Sequence, residues 1–311
     1  MSRSSKRPRC VKSLSAACQL SILAFVGSCA EQPATTLAWS RSAASYVAYA
    51  ADNSALDPLG PQDPAWAESI ELARPNARTP NARATYLRLG TRLRTLALPR
   101  WPSAELSVSP HREEDLLVYG LHAAPGPRPE ADDVELGTYE VLEMMAGELW
   151  VWAEMDRAGG IQSFYLPDKQ KGALAHLFTL PGRSVRVGDS WEVPVQLLQL
   201  DSRFVGEITD SFSRAILLGL DVVNERRQAR ILYIARRGVT GTVPPEPDDT
   251  PEPFALVADA AAYGVMDVDA GRWLEYTGQL VVTGSGASPA RLAQILALRP
   301  ATAGDTEAGA D

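Results

Sequence analysis

From Tyr86 onward apolar and polar positions alternate along the chain, with Leu87, Leu89, Leu93 and Ala97 on one side and Arg88, Arg92 and Arg94 on the other. A period of two is the mark of a strand with one buried face, so this segment is expected to open a β domain. Similar runs at 115–121, 138–145, 149–155 and 160–166 are predicted as further strands. The turn Asp156-Arg157-Ala158-Gly159-Gly160 joins two of them, because its glycines adopt positive φ at little cost. Ala146-Gly147-Glu148 is a second turn of this kind.

Residues 169–178 read differently, with Ala173, Leu174, Leu177 and Phe178 at helical spacing, Asp168 placed as a cap and Pro181-Gly182 as the stop. Long alternating runs then resume at 190–200, 203–220, 230–242, 255–268 and 273–283. Short connections at Asn224-Glu225-Arg226-Arg227 and Asp269-Ala270-Gly271 make consecutive runs antiparallel neighbours. Residues 244–253 form an acidic, proline-rich loop, and 290–298 fit either a closing helix or a last strand. The expected fold is mainly β: a single curled antiparallel sheet or half-barrel over 85–299, carrying one or two short helices.

The N-terminal part lacks this pattern. Residues 29–84 are rich in Ala, Ser, Pro and Asn and are expected to form a tether, with a weak helical pattern at 66–72 behind Pro64 and with Trp39 and Trp66 docking singly. Residues 300–311 are small and polar and are expected to be a disordered tail. Ahead of the tether, Arg3, Lys6, Arg7, Arg9 and Lys12 precede an apolar run from Leu20 to Val26, the layout of a secretory signal. The longer run from Val11 to Val26 is interrupted by Ser13, Ser15, Gln19 and Ser21 and falls short of the ~20 apolar residues that span a bilayer. Val26-Gly27-Ser28-Cys29 resembles the lipobox of bacterial lipoproteins. That resemblance implies removal of residues 1–28, acylation of Cys29 and anchoring to a membrane through acyl chains. The alternative is an ordinary secretory signal with Cys29 incidental. Ala30 directly after the cysteine suits outer-membrane delivery, with the mature domain outside the cytoplasm.

Cysteine and charge narrow the picture further. Cys10, Cys18 and Cys29 are the only cysteines, so the exported part has neither an internal disulfide nor a cysteine-based zinc site and must rely on its apolar core. The chain carries 30 basic and 38 acidic residues, a net charge of −8. The leader holds five of the basic residues and none of the acidic ones, which brings the exported part to −13. Such a charge disfavours nucleic acid as a partner and electrostatic adhesion to anionic headgroups.

Candidate chemistry is sparse. Gly188-Asp189-Ser190 has the look of a hydrolase nucleophile block, yet His111, His122 and His176 all lie upstream of it and no Gly-x-Ser-x-Gly elbow occurs. The same three histidines form no spaced ligand set. Asp267-Val268-Asp269-Ala270-Gly271 imitates the start of a calcium loop, but Arg272 falls where that loop requires glycine, so a hairpin turn is expected. No enzyme activity, cofactor or metal is expected.

Two stretches carry a family likeness: Leu180-Pro181-Gly182-Arg183-Ser184-Val185-Arg186-Val187-Gly188-Asp189-Ser190-Trp191, and Tyr263-Gly264-Val265-Met266-Asp267-Val268-Asp269-Ala270-Gly271-Arg272-Trp273. Together they resemble an uncharacterised family of bacterial exported lipoproteins over residues 135–285. Met266 stands where that family more often has an aromatic residue. The resemblance implies a β-rich envelope protein and transfers no catalytic residue.

Bottom-up, Trp191 is the first large residue of a strand that plugs the sheet, while Trp150 and Trp152, two apart on a strand, share a face that lines a ligand cavity or fills the core. Two functions follow as expectations: a binding module holding a hydrophobic ligand, or a structural or protein-interaction lipoprotein with a filled core. They are separated by whether the sheet interior is empty or packed.

Overall fold

The structure, a computed structural model, describes residues 33–52, 59–75, 82–99, 101–126, 128, 133–165, 177–194, 197–198, 205–243, 251–287 and 291–302. The leader, Cys29, most of the predicted 169–178 helix and the tail past Thr302 lie outside them. Strands β1 (Thr35–Thr36) and β7 (Ser184–Val185) form a two-stranded ribbon. The others build one antiparallel sheet: β2 (Ala44–Asp52), β3 (Ala104–Pro110), β4 (Leu116–Ala123), β5 (Leu149–Asp156), β6 (Ile161–Tyr165), β8 (Ser190–Glu192), β9 (Val205–Val223), β10 (Arg226–Val243), β11 (Glu252–Asp267), β12 (Arg272–Gly286) and β13 (Arg291–Pro300). Its order is β6-β5-β4-β3-β2-β13-β12-β11-β10-β9-β8. The sheet is therefore two meanders joined by the β2–β13 ladder, in which Tyr46 faces Pro300 and Gln294 faces Asp52. It does not close into a barrel, since β6 and β8 remain edges. Bulges in the β9–β10, β11–β12, β4–β5 and β5–β6 ladders supply the bends by which it curls.

Both faces of the sheet's centre are covered. Along β10, Ile231 and Tyr233 belong to the inner core, while Leu232 and Ile234 pack beneath helices on the other face. The outer layer is a helix pair, α1 (Pro64–Leu72) and α2 (Ala82–Arg94), which buries Trp66, Ile70, Leu89 and Leu93 against β9–β12. Helix α1 starts where it does because Pro64 suits a first turn and the Asp63 side chain accepts from Ala65 N (2.9 Å) and Trp66 N (3.2 Å). The other Asp63 oxygen meets Arg92 Nη2 at 2.8 Å, tying α1 to α2. Helix α2 sits close to the sheet at Gly90, where a Cβ would come within 2.5 Å of the Tyr263 ring. Charged groups fix the layer laterally: Arg236 holds the buried Asp259 in a two-bond fork (2.6 and 2.7 Å) and reaches Glu71 of α1 at 3.3 Å.

The tether expected over 29–84 is corrected from Thr35 onward. Strand β2 lies in the middle of the sheet between β3 and β13, with Tyr46 and Ala48 fully buried, and α1 and α2 close the outer face. The segment escapes a hydrophobicity reading because β2 itself carries alanine at four of its nine positions, Ala44, Ala48, Ala50 and Ala51. The strand expected from Tyr86 is instead α2. Thr85, Tyr86, Leu89, Gly90 and Leu93 form the buried stripe at helical spacing, and the Arg- and Leu-rich sequence favours a helix. Likewise the strand expected at 138–145 is α3 (Asp133–Met144), so three helices are present among the described residues rather than one or two. Residues 291–300 form the last strand, not a helix.

Replacing Asp63 by alanine removes the α1 cap and its link to Arg92, and is expected to lower stability in denaturant titrations by about 1 kcal/mol. An unchanged midpoint would show that α1 is held by its apolar face alone.

Candidate functional site: the interior of the curled sheet

A ligand carried by a curled sheet would sit between its two arms, so the site is built from whatever occupies that space. It is occupied by the chain itself. Leu177, Phe178 and Leu180, all buried, run between the β3–β5 arm and the β9–β12 arm. A backbone crossing an apolar interior must have its carbonyls satisfied, and here aromatic side chains do so in succession. Trp273 Nε1 donates to Leu177 O (2.8 Å), Trp39 Nε1 to Phe178 O (2.8 Å) and Trp191 Nε1 to Thr179 O (3.3 Å). Tyr233 Oη adds a longer contact to Thr179 O at 3.4 Å.

The rings close around the same segment. Phe178 stacks on Tyr119 of β4 with centroids 4.2 Å apart and tilts against Trp39 at 5.4 Å, and Trp39 meets Trp273 edge-on at 5.9 Å. Trp273 continues to Tyr276 at 5.6 Å and Tyr233 at 6.4 Å. One aromatic chain thus runs from one arm of the sheet to the other.

Neighbouring turns lock the segment. The β5–β6 turn packs on Phe178 at Gly159, where φ is +80° and a Cβ would lie 1.6 Å from Phe178 O; only glycine fits. Beside it, Leu180 N donates to Ala158 O (2.7 Å), Trp39 N to Arg157 O (2.8 Å) and Arg157 Nε back to Trp39 O (3.1 Å). Trp273 N donates to the Tyr46 hydroxyl at 3.2 Å, tying β12 to β2.

The predicted site residues fall in separate places. Trp191 is buried in this core. Trp150 and Trp152 do not share a face. The β4–β5 ladder steps from Leu121–Val151 to His122–Leu149, leaving Trp150 as the extra residue of a bulge, half-buried against the inner core. Trp152 lies on the face opposite Val151, Ala153 and Met155. Cys29 lies outside the described residues. The Gly188-Asp189 turn is bound to β9, through Gly188 N to Leu217 O (2.8 Å) and Leu217 N to Asp189 O (3.0 Å). The Asp189 carboxylate accepts from Arg186 N of its own turn (2.9 Å), and Ser190 pairs with Ile216 in the sheet. His111 Nε2 lies 3.5 Å from Glu154 and His122 is a β4 ladder residue, while His176 lies outside the described residues. Among the described residues no cluster of His, Cys, Asp or Glu is placed to hold a metal, and no helix is long and apolar enough to cross a membrane. Trp39 and Trp273 were missed as a pair.

No protein-family model matches the chain, and no curated protein matches it.

Burial pushes the Tyr46 and Tyr86 phenols up to about 12 and raises Tyr119, Tyr233 and Tyr276 as well. In the unfolded chain these groups ionise at the usual 10. Above that pH the unfolded state binds fewer protons than the folded one, so stability should be intact below pH 10 and fall as the pH rises toward about 12. Denaturation midpoints that stay flat across this window would contradict the burial.

Trp39→Phe and Trp273→Phe each keep a ring but leave a carbonyl orphaned, and each should cost about 1–3 kcal/mol in chemical denaturation. Tyr119 Oη, by contrast, is buried with no hydrogen-bond partner among the described residues. Tyr119→Phe keeps the stack on Phe178 and should leave stability equal or slightly higher. A loss as large as that of the tryptophan variants would show that the hydroxyl has a partner.

Proposed function

We propose that this chain is an exported lipoprotein, acylated on Cys29 after removal of residues 1–28, whose β domain is a structural or protein-interaction module of the cell envelope. The observation that carries the choice against a hydrophobic-ligand carrier is the occupied interior: Phe178, Trp39 and Trp273 fill the space between the arms. A ligand pocket needs a concave, apolar, accessible volume, and here the apolar groups are spent on one another. Support for export and anchoring comes from the basic leader, the short apolar run and the cysteine behind Gly27 and Ser28. Two or more acyl chains suffice for stable attachment, and the outer membrane is the destination that Ala30 favours.

The likeness to exported lipoproteins at Leu180–Trp191 and Tyr263–Trp273 agrees with this reading, and the first of those stretches contains residues of the locked core. The reading makes no use of catalysis. The Asp189 carboxylate is engaged by its own turn, accepting from Arg186 N, and Ser190 pairs with Ile216 in the sheet.

Native mass spectrometry of the Cys29→Ser chain, purified without detergent and incubated with envelope lipids, is expected to show bare protein. A stoichiometric apolar ligand leaving with the protein would restore the carrier. Metabolic labelling with a fatty acid tests the anchor separately: label on the wild type and none on Cys29→Ser is expected, and equal label on both would overturn acylation at this residue.

A further inference from the structure

The tips of two long hairpins meet at one end of the sheet, and they are held together by charge. Arg227 grips the Asp269 carboxylate with its backbone N (3.0 Å), Nε (2.8 Å) and Nη2 (2.6 Å), and Val268 N donates to Arg227 O at 2.8 Å. The chain entering the domain joins them, because Ser40 N donates to Gly271 O at 2.9 Å. Between these parts lies a partly open cleft of about 380 Å³, lined by Ser40, Ser42, Arg226, Asp267, Asp269 and Arg272 among others.

The charges in this cleft are unequally committed. Asp267 is fully buried, and its Oδ1 accepts from Asp269 N (3.0 Å) and Ala270 N (2.8 Å) while its Oδ2 faces Arg226 at 3.4 Å. Asp269 is taken by Arg227. Both carboxylates are therefore used to build the turn. Arg272 is exposed and makes no ion pair or hydrogen bond among the described residues, so its guanidinium fork is left without a counter-ion. The Ser40 hydroxyl oxygen accepts from Ser42 N at 3.0 Å, which leaves its O–H free to donate.

We propose that this cleft binds a carboxylate monoanion, seated in the fork of Arg272 with hydrogen bonds from the hydroxyls of Ser40 and Ser42. One uncompensated guanidinium matches one negative charge, and the planar fork matches a carboxylate in two-bond geometry. A phosphate dianion would face two resident carboxylates with one free cation. The volume exceeds what a bare acetate needs and lies in the range of small-molecule sites, so the carboxylate is carried on a larger group, such as the C-terminus of a peptide. The proposal is independent of acylation at Cys29 and of the filled interior.

The test is an NMR titration of the Cys29→Ser chain with N-acetyl-alanyl-alanine, its C-terminal amide, acetate and inorganic phosphate, following the signals of Ser42, Ala270 and Arg272. Saturable shifts with the dipeptide acid are expected, with the amide inert and acetate weaker. Arg272→Gln, an exposed and unpaired position that should leave the melting temperature unchanged, is expected to weaken the dipeptide about tenfold or more. Shifts as large with the amide, tighter binding of phosphate, acetate binding as tightly as the dipeptide, or an affinity indifferent to Arg272→Gln would each overturn the proposal.

Discussion

The structure depends on hydrogen bonds from three indoles to three consecutive carbonyls. Leu177, Phe178 and Thr179 cross a space that is otherwise apolar, and an extended backbone there would strand three acceptors in a low-dielectric interior. Trp273, Trp39 and Trp191 each bring one N–H to one of them. Tryptophan suits this role because it combines the largest apolar body with a single donor. Sheet curvature and interior filling are consequently one problem with one solution: the arms can approach only as far as this segment and its aromatic sleeve allow.

From that constraint much of the remaining architecture follows. Trp39 comes from the chain just ahead of β2, Trp191 from β8 at the sheet edge and Trp273 from β12 near its middle. The core therefore ties together parts of the sequence more than two hundred residues apart, and the β2–β13 ladder reinforces the same closure on the backbone. The domain has no disulfide available to staple it. Its stability rests on these long-range contacts and on the helix pair, which is held to the outer face by Leu89, Leu93 and Trp66 and by the Arg236–Asp259–Glu71 charges.

The meander from β9 to β12 was legible in the sequence because its strands are long, β-branched or aromatic in part, and separated by Asn-Glu and Asp-Ala-Gly turns. The first half was less legible for identifiable reasons. Leu89 and Leu93 satisfy a two-residue period as well as a helical one, and the burial of Tyr86 together with them, and not of Leu87, decides for the helix. Strand β2 hid among alanines, whose small side chains carry little hydrophobic signal even where Ala48 is fully buried. The pair Trp150 and Trp152 misled because a bulge is invisible to a period count. The role of Trp191 as a core residue could be read from its place after a Gly-Asp turn. Which carbonyl it would meet could not, since that partner is set by tertiary packing.

Amide hydrogen exchange at Leu180 separates a structural core from a movable lid most directly. Its N–H is bonded to Ala158 O inside the β5–β6 turn. If the segment is part of the core, Leu180 exchanges as slowly as the amides of β10 and β11, through global unfolding alone. Exchange orders of magnitude faster than those strands would mean that the segment leaves the interior while the sheet stays folded, and the account of a permanently filled sheet would fail.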